Sequence, residues 1–413
     1  MTWFYCSFPA NDSSDSQENG TCATIWPLWR TSKEDLNLHN FEACAERAPP
    51  LAIGDILHNA EETKFFHNCI IHCILRIIVT HGGEKFKKFR ADLELNQPKM
   101  DDIIELHKTS LHPLPVMNID ESTIIGNADV VRAIFDELHI VKEDVKNNVK
   151  IFVGDHATCV KVFAGNQLSI AQIHAIVSIR AGQEKGYSGF GWEVWMPGLF
   201  QGKICDIHGM FVTHWGKPKC GNHNPGCLAF HNTRLHRTPI ILSLLPTFWV
   251  CHDLIFVSLY SWVLHCLLLV SGKSSLDNYA DSIHSWTTFW KHAEAIFKQF
   301  SNTQTVSDLR ASRTVSEQAM DSSNQPRTPA GDMVFENALL FLQDALITQE
   351  FTDVIKCGDS GWVVLVLKMW ALSFWGSGRT KYAHEMLHLI HNLEHVWPKP
   401  IWYALYIHNT SFC

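Results

Sequence analysis

The sequence is short of charge. Asp, Glu, Lys and Arg make up only 18% of its 413 residues, against about a quarter in an ordinary globular domain. The formal net charge is -8 and the pI about 6.3, so the chain lacks the overall basic excess of most nucleic-acid binders. One local exception is Lys85, Lys87, Lys88 and Arg90, a run that ordinarily reads as a solvated helix end. A disulfide framework is also missing. The thirteen cysteines are odd in number and scattered, and Cys69, Cys73, Cys251 and Cys266 sit inside apolar runs. Buried reduced thiols account for these, and they point to a cytosolic or nuclear compartment. No basic segment precedes an apolar stretch near the N-terminus, so no signal peptide is expected. The sequence contains no Walker loop, no GxGxxG after a strand and no GxSxG elbow. These absences remove the commonest nucleotide-binding and ester-hydrolase signatures.

What remains is apolar and helical in pattern. Hydrophobic residues make up 46% of the chain, enough for a sizeable core. Phe65, Phe66, Cys69, Ile70, Cys73, Ile74, Ile77 and Ile78 recur at helical spacing across 60–81, and Gly82-Gly83 ends that run. Residues 254–271 form one uncharged apolar stretch. It meets the minimum length of a membrane span, but Ser258, Ser261 and His265 interrupt it, and a core helix of a large domain reads the same way. A second long helix is expected over 277–300, and three more over 332–356, 361–375 and 380–395, separated by Gly358, Gly376 and Gly378. The expected fold class is mainly α with a small β element. The expected organisation is a loop-rich segment over 1–50, a main helical domain over 51–300 and a polar linker over 301–331. A C-terminal helical segment over 332–400 packs on the main domain, and an atypical tail occupies 401–413.

The β element is expected at 149–166, where one phrase occurs twice. Val149-Lys-Ile-Phe-Val-Gly-Asp155 returns as Val160-Lys-Val-Phe-Ala-Gly-Asn166. Each copy is a β-branched and aromatic run that stops at glycine and an acid or amide, as a buried strand entering a turn does. Asp155 at such a strand end, Asp206, and a helical Glu350 are the residue types of a two-metal phosphoryl-transfer site, where carboxylate oxygens hold Mg²⁺. Aspartate after a strand is equally ordinary turn or N-cap chemistry. A second candidate is Cys220, His223, Cys227 and His231, in which thiolates and imidazoles suit tetrahedral zinc, although a loop rich in Cys and His gives the same string. His384 and His388, and His391 and His395, are spaced to share helix faces and read as core or interface histidines.

Several phrases together resemble one family. They are NGTCATIWPL (19–28), HPLPVMNIDESTIIGNADVV (112–131), GNQLSIAQ (165–172), WEVWMPGLFQGKICDIHGMFVTHWGKP (192–218), NPGCLAFHNTRLHR (224–237), DLIFVSLYSWVLHCLLLVSGK (253–273) and FWGSGRTKYAHEMLHLIHNLEHVWPKP (374–400). In this order they resemble an uncharacterised fungal domain family, found in many copies in mushroom-type genomes. The resemblance implies descent from mobile elements, with a ribonuclease-H-like transposase core as the origin and nucleic acid as the ancestral partner. The family phrase at 165–169 reads Gly-Asp-Gln-Leu-Ser or -Thr. Here Asn166 replaces the aspartate, and a neutral amide is a poor Mg²⁺ ligand. Family members extend beyond both ends of the matched region, so this chain resembles an internal piece or a truncated gene product. Two readings stand: a mobile-element-derived protein with a degenerate ribonuclease-H-like core and no activity, and a helical interaction or scaffold protein with no catalytic past.

Overall fold

The computed structural model describes residues 21–25, 27–28, 31–99, 108, 110–119, 124–141, 147–148, 163–165, 195–217, 221–240, 246–320 and 332–402. It divides into two compact units that alternate along the chain. One comprises Met1–Leu57, Asp102–Lys203 and Gly358–Cys413; the other comprises His58–Asp101 and Ile204–Cys357. Residues 332–400 divide between the units at Gly358, and the segment after it shares a unit with the N-terminal region.

The second unit is built on α2 (Ala60–His81). Asn59 accepts from the backbone N–H groups of Glu61 and Glu62, while Glu62 accepts from the Asn59 N–H, so a capping box starts the helix. A Cβ at Gly82 would lie 2.5 Å from the Ile78 carbonyl, and Gly83 has φ +111°; this glycine pair therefore turns the chain out of the helix. A 3-10 turn, Glu84–Phe89, leads into α3 (Arg90–Leu95). Farther along lie α6 (Leu228–Arg234), α7 (Phe248–Ser271), α8 (Leu276–Ser282), α9 (Trp286–Ile296), α10 (Thr303–Met320) and α11 (Met333–Cys357). Helices α2, α7, α9 and α11 pack against one another around Ile74, Leu259, Phe289, Ala345 and Phe351, all fully buried.

Two sequence expectations change here. The helix expected over 277–300 is broken: Ile283 is extended, α9 restarts after Ser285, and the chain continues into a π segment at Phe297–Ser301. The break lets Tyr279 fold back to meet His292, with its hydroxyl 2.7 Å from Nδ1. Within the polar stretch 301–331, residues 303–320 form α10, fastened by Arg310 Nε to Glu336 Oε1 at 2.6 Å. A solvated helix and a linker have similar composition, so polarity alone does not separate them.

Helix α7 is the apolar stretch, long and apolar enough to cross a membrane. Cys251, Leu254, Ile255, Leu259, Val263, Cys266 and Leu267 are buried, while Trp249, Asp253, Val257, Ser261, His265 and Leu269 form an exposed row at four-residue spacing. That row mixes a carboxylate, an imidazole and a hydroxyl with apolar groups.

The first unit contains α1 (Leu38–Arg47), α4 (Ile124–Glu137), the N-terminal turn of α5 (Leu199–His214), α12 (Ser360–Gly376) and α13 (Thr380–His391). The three expected C-terminal helices are therefore present as α11, α12 and α13, the last prolonged by a π segment, Asn392–Val396. Strand β1 (Thr24–Ile25) pairs antiparallel with β2 (His112–Pro113), and β3 (Phe163–Gly165) pairs parallel with β4 (Trp195–Pro197). The fold is mainly α with a small β element, as expected. The wide sheet of a ribonuclease-H-like core does not occur among the described residues, where both sheets have two strands. Most of the doubled phrase, including Val149–Asp155 and Asn166, lies outside the described residues; Phe163–Gly165 of the second copy is strand, and its partner is Trp195–Pro197.

Candidate functional site

The described residues bring carboxylates and a thiol together at one buried place, inside the α2–α7–α11 packing. Cys73 on α2 and Glu350 and Asp353 on α11 hold their ligand atoms within 4.8 Å of one another, all three buried. Sequence spacing explains the convergence. Glu350 and Asp353 are three apart on one helix, so their side chains share a face, and Cys73 lies on the inward face of α2 with Cys69 and Ile77.

Arg76, one turn along α2 from Cys73, organises this centre. Its Nη1 lies 3.0 Å from Asp353 Oδ1. The same oxygen accepts from Gln349 Nε2 at 3.0 Å, and Gln349 Oε1 accepts from the Tyr260 hydroxyl on α7 at 3.0 Å. In the other direction Arg76 Nη2 lies 3.3 Å from His72 Nδ1, and His72 Nε2 lies 2.9 Å from the Leu93 carbonyl. A carbonyl only accepts and a guanidinium only donates. His72 therefore carries its proton on Nε2 and accepts from Arg76 on Nδ1, which makes it neutral. A polar chain thus runs from Tyr260 through Gln349, Asp353, Arg76 and His72 to Leu93, crossing α7, α11, α2 and the C-terminal end of α3.

The electrostatics follow from burial and from this chain. Burial, with Arg76 nearby, pushes the His72 pKa down to about 4. Burial lifts the Cys73 thiol well above its ordinary value, and the neighbouring Asp353 and Glu350 carboxylates add to that. Burial also raises Asp353, against the pull of Arg76 and Gln349. Burial alone would lower Arg76, but Asp353, Cys73 and Glu350 outweigh it and hold its pKa above the usual arginine value. Tyr260 is pushed up to about 12, chiefly by burial. The thiol here is in its neutral form, and the cation facing Asp353 is a guanidinium. A thiol and two carboxylates could in principle ligate zinc, but Arg76 already occupies Asp353 Oδ1, and a second cation beside it would meet its charge. The arrangement fits an arginine anchored by carboxylates better than a metal centre.

On its other side Arg76 lines a cleft of about 350 Å³, together with His72, Lys87, Arg90, Glu94 and Gln97. The basic run noted in the sequence divides between two edges, because a 3-10 helix repeats every three residues. Lys85 and Lys88 face α8: Lys85 reaches Asp281 at 2.6 Å, and Lys88 donates to the carbonyls of Ala280 and Ile283. Lys87 and Arg90 turn the other way, into the cleft.

The family comes from comparison of the whole chain. Residues 45–410 match the model described as "Family of unknown function (DUF6589)". The chain belongs to that family. No curated protein and no solved structure matches it. The membership covers both units of this DUF6589 chain and attaches no chemistry to either.

The sequence candidates are placed as follows. Asp155, Asn166 and Cys220 lie outside the described residues. Asp206 is buried in α5, where it accepts a short hydrogen bond from the Thr348 hydroxyl on α11. Thr348 and Glu350 are two residues apart, so they leave α11 about 200° apart. The structure therefore directs Asp206 and Glu350 to different faces of α11 and gives Glu350 the company of Cys73 and Asp353. Of the zinc quartet, His223 is exposed on a 3-10 turn, Gly221–His223. Cys227 is buried against Gly216, and His231 Nε2 donates to the Pro225 carbonyl at 2.9 Å while its ring lies beside Trp262 and Phe341. Among the described residues these three do not converge as Cys73, Glu350 and Asp353 do. Two of the C-terminal histidines are fasteners: His391 donates to the Pro49 carbonyl at 2.8 Å, and His395 lies 3.1 Å from Asp55. Sequence reasoning missed Arg76, Asp353 and Cys73. The available signal was Arg76 itself, a charge inside an otherwise apolar helical run, which calls for a buried partner.

Proposed function

We propose that this DUF6589 chain is a helical protein of fungal mobile-element descent that acts by binding and carries out no metal-dependent phosphoryl transfer. The observation that supports this is the use of α11. Its Thr348 edge engages Asp206, Asp353 on its Glu350–Asp353 edge engages Arg76, and the two carboxylate groups are directed apart rather than toward shared metal ions. A two-metal mechanism needs carboxylates that clamp ions about 3.5–4 Å apart, and Asn166 further weakens such a site. This reading puts the protein inside the cell, nuclear or cytoplasmic, with α7 as a core helix. The mixed polarity of the row from Trp249 to Leu269 favours that over a lipid-facing surface. A net charge of -8 makes nucleic acid the weaker choice of partner.

Purified protein incubated with DNA or RNA and Mg²⁺ or Mn²⁺ is expected to leave the substrate intact. Robust metal-dependent cleavage that disappears in Asp155→Ala would overturn the reading. The other reading, a helical scaffold with no catalytic past, draws on the narrowness of the two described sheets. A structure of a relative that keeps aspartate at position 166 separates the two. Descent predicts that this aspartate lies beside further carboxylates on a wider sheet.

A further inference from the structure

We propose that the cleft lined by Arg76, Lys87 and Arg90 binds the phosphate group of a small molecule. This deepens the binding reading above by naming a ligand class. Three cations border one cavity of about 350 Å³, with Glu94 as the acidic side chain facing them and His72 neutral at the wall. The cavity is of small-ligand size and much smaller than a nucleic-acid duplex.

The cations differ in kind, and the difference suits an anion site. Arg76 is held in place from behind. Asp353 fixes Nη1 and His72 fixes Nη2, so its fork is set before any ligand arrives, and little side-chain freedom is lost on binding. Guanidinium geometry matches phosphate oxygens. Lys87 and Arg90 are the mobile members, with side chains 58% and 74% exposed. Their resting partners are Glu84 at 2.6 Å and Glu94 at 3.3 Å on the same segment. Exposed pairs of this kind contribute little, so both side chains can exchange a single carboxylate for a doubly charged phosphate. Arg90 is the side chain that must release Glu94, which moves the one facing carboxylate away from the ligand. Buried Asp353 thereby gains a role: it orients an arginine toward the cleft.

The test is calorimetric titration of the full chain with inorganic pyrophosphate and with inorganic phosphate, at constant ionic strength. Saturable binding is expected, weakened at least about tenfold in Lys87→Ala/Arg90→Ala, since each lost charge-assisted contact matters in a small site. A control, Lys85→Ala/Lys298→Ala, removes the same charge from exposed positions away from the cleft and is expected to bind as the unmodified chain does. Absence of saturable binding, equal weakening in both double variants, or binding unchanged in Lys87→Ala/Arg90→Ala would each overturn the proposal. These outcomes are independent of the cleavage assay: a chain that binds no phosphate can still lack nuclease activity, and cleavage lost in Asp155→Ala would leave the cleft untouched.

Discussion

Arg76 and Asp353 meet at 3.0 Å between α2 and α11, with the aspartate side chain 6% exposed and the arginine 25%. Removing one partner leaves the other charged and largely out of water. Asp353→Leu is expected to lower stability by about 3 kcal/mol. Replacing both, as Arg76→Met with Asp353→Leu, is expected to cost less than the sum of the single changes, because no unpaired charge remains. Urea denaturation of the four proteins measures this. Additive single-variant costs would show that the pair is not coupled.

His72 makes stability depend on pH on the acid side. Its folded pKa is about 4, against 6.5 for the ordinary imidazole, so between these values the unfolded chain binds more protons. Stability therefore rises with pH through that window and is lost as pH falls through it. At pH 4.5 the loss from this one group is about 2–3 kcal/mol. His72→Gln keeps a donor for Leu93 and an acceptor for Arg76, and its stability curve is expected to be flatter below pH 6.5. Chemical denaturation of the two proteins from pH 4.5 to 7 gives the comparison.

Glu385 acts with the opposite sign. Burial pushes its pKa from 4.5 to about 7, so the folded chain holds a proton that the unfolded chain releases. Stability contributed by the protonated form is present at low pH and falls as pH rises through about 7. The side chain keeps some contact with solvent, which reduces the effect to on the order of 1–2 kcal/mol. Glu385→Gln is expected to raise the melting temperature at pH 8 and to leave it unchanged near pH 4.5. An equal shift at both pH values would contradict the assignment.

Gly216 is a glycine the fold cannot readily replace. Its φ is +94°, and a Cβ there would lie 2.7 Å from Cys227 Sγ and 3.1 Å from the Gly221 Cα. Gly216→Ala is expected to cost more than about 2 kcal/mol through backbone strain and overpacking together. Gly54→Ala, with open space around the position, serves as the comparison in thermal unfolding.

The local parts of this fold are readable in the sequence, and the long-range parts are not. Periodicity and Gly82-Gly83 mark α2; Gly358, Gly376 and Gly378 mark the C-terminal helices, because only a few residue types adopt the turns between them. The break at 283–285 has no glycine or proline to announce it, since it is set by the packing of Tyr279 on His292. Glu350 was legible as a functional candidate. Its companions were not, because Cys73 and Arg76 belong to a helix far away in sequence. Asp206 is a candidate in the sequence by residue type alone. In the folded chain it sits mid-helix, where its acceptor is taken up by Thr348.

The alternation of the two units along the chain fixes an order of assembly. Everything needed for the unit of α2, α7, α9 and α11 has left the ribosome once residue 357 has emerged. The other unit must wait. Its helix α1 packs on the segment 392–396, and the Pro49 carbonyl is held by His391. These contacts join residues made far apart in time, Pro49 and His391 being 342 positions apart. During translation residues 38–49 therefore wait, without their final partners, while the unit of α2, α7, α9 and α11 closes first.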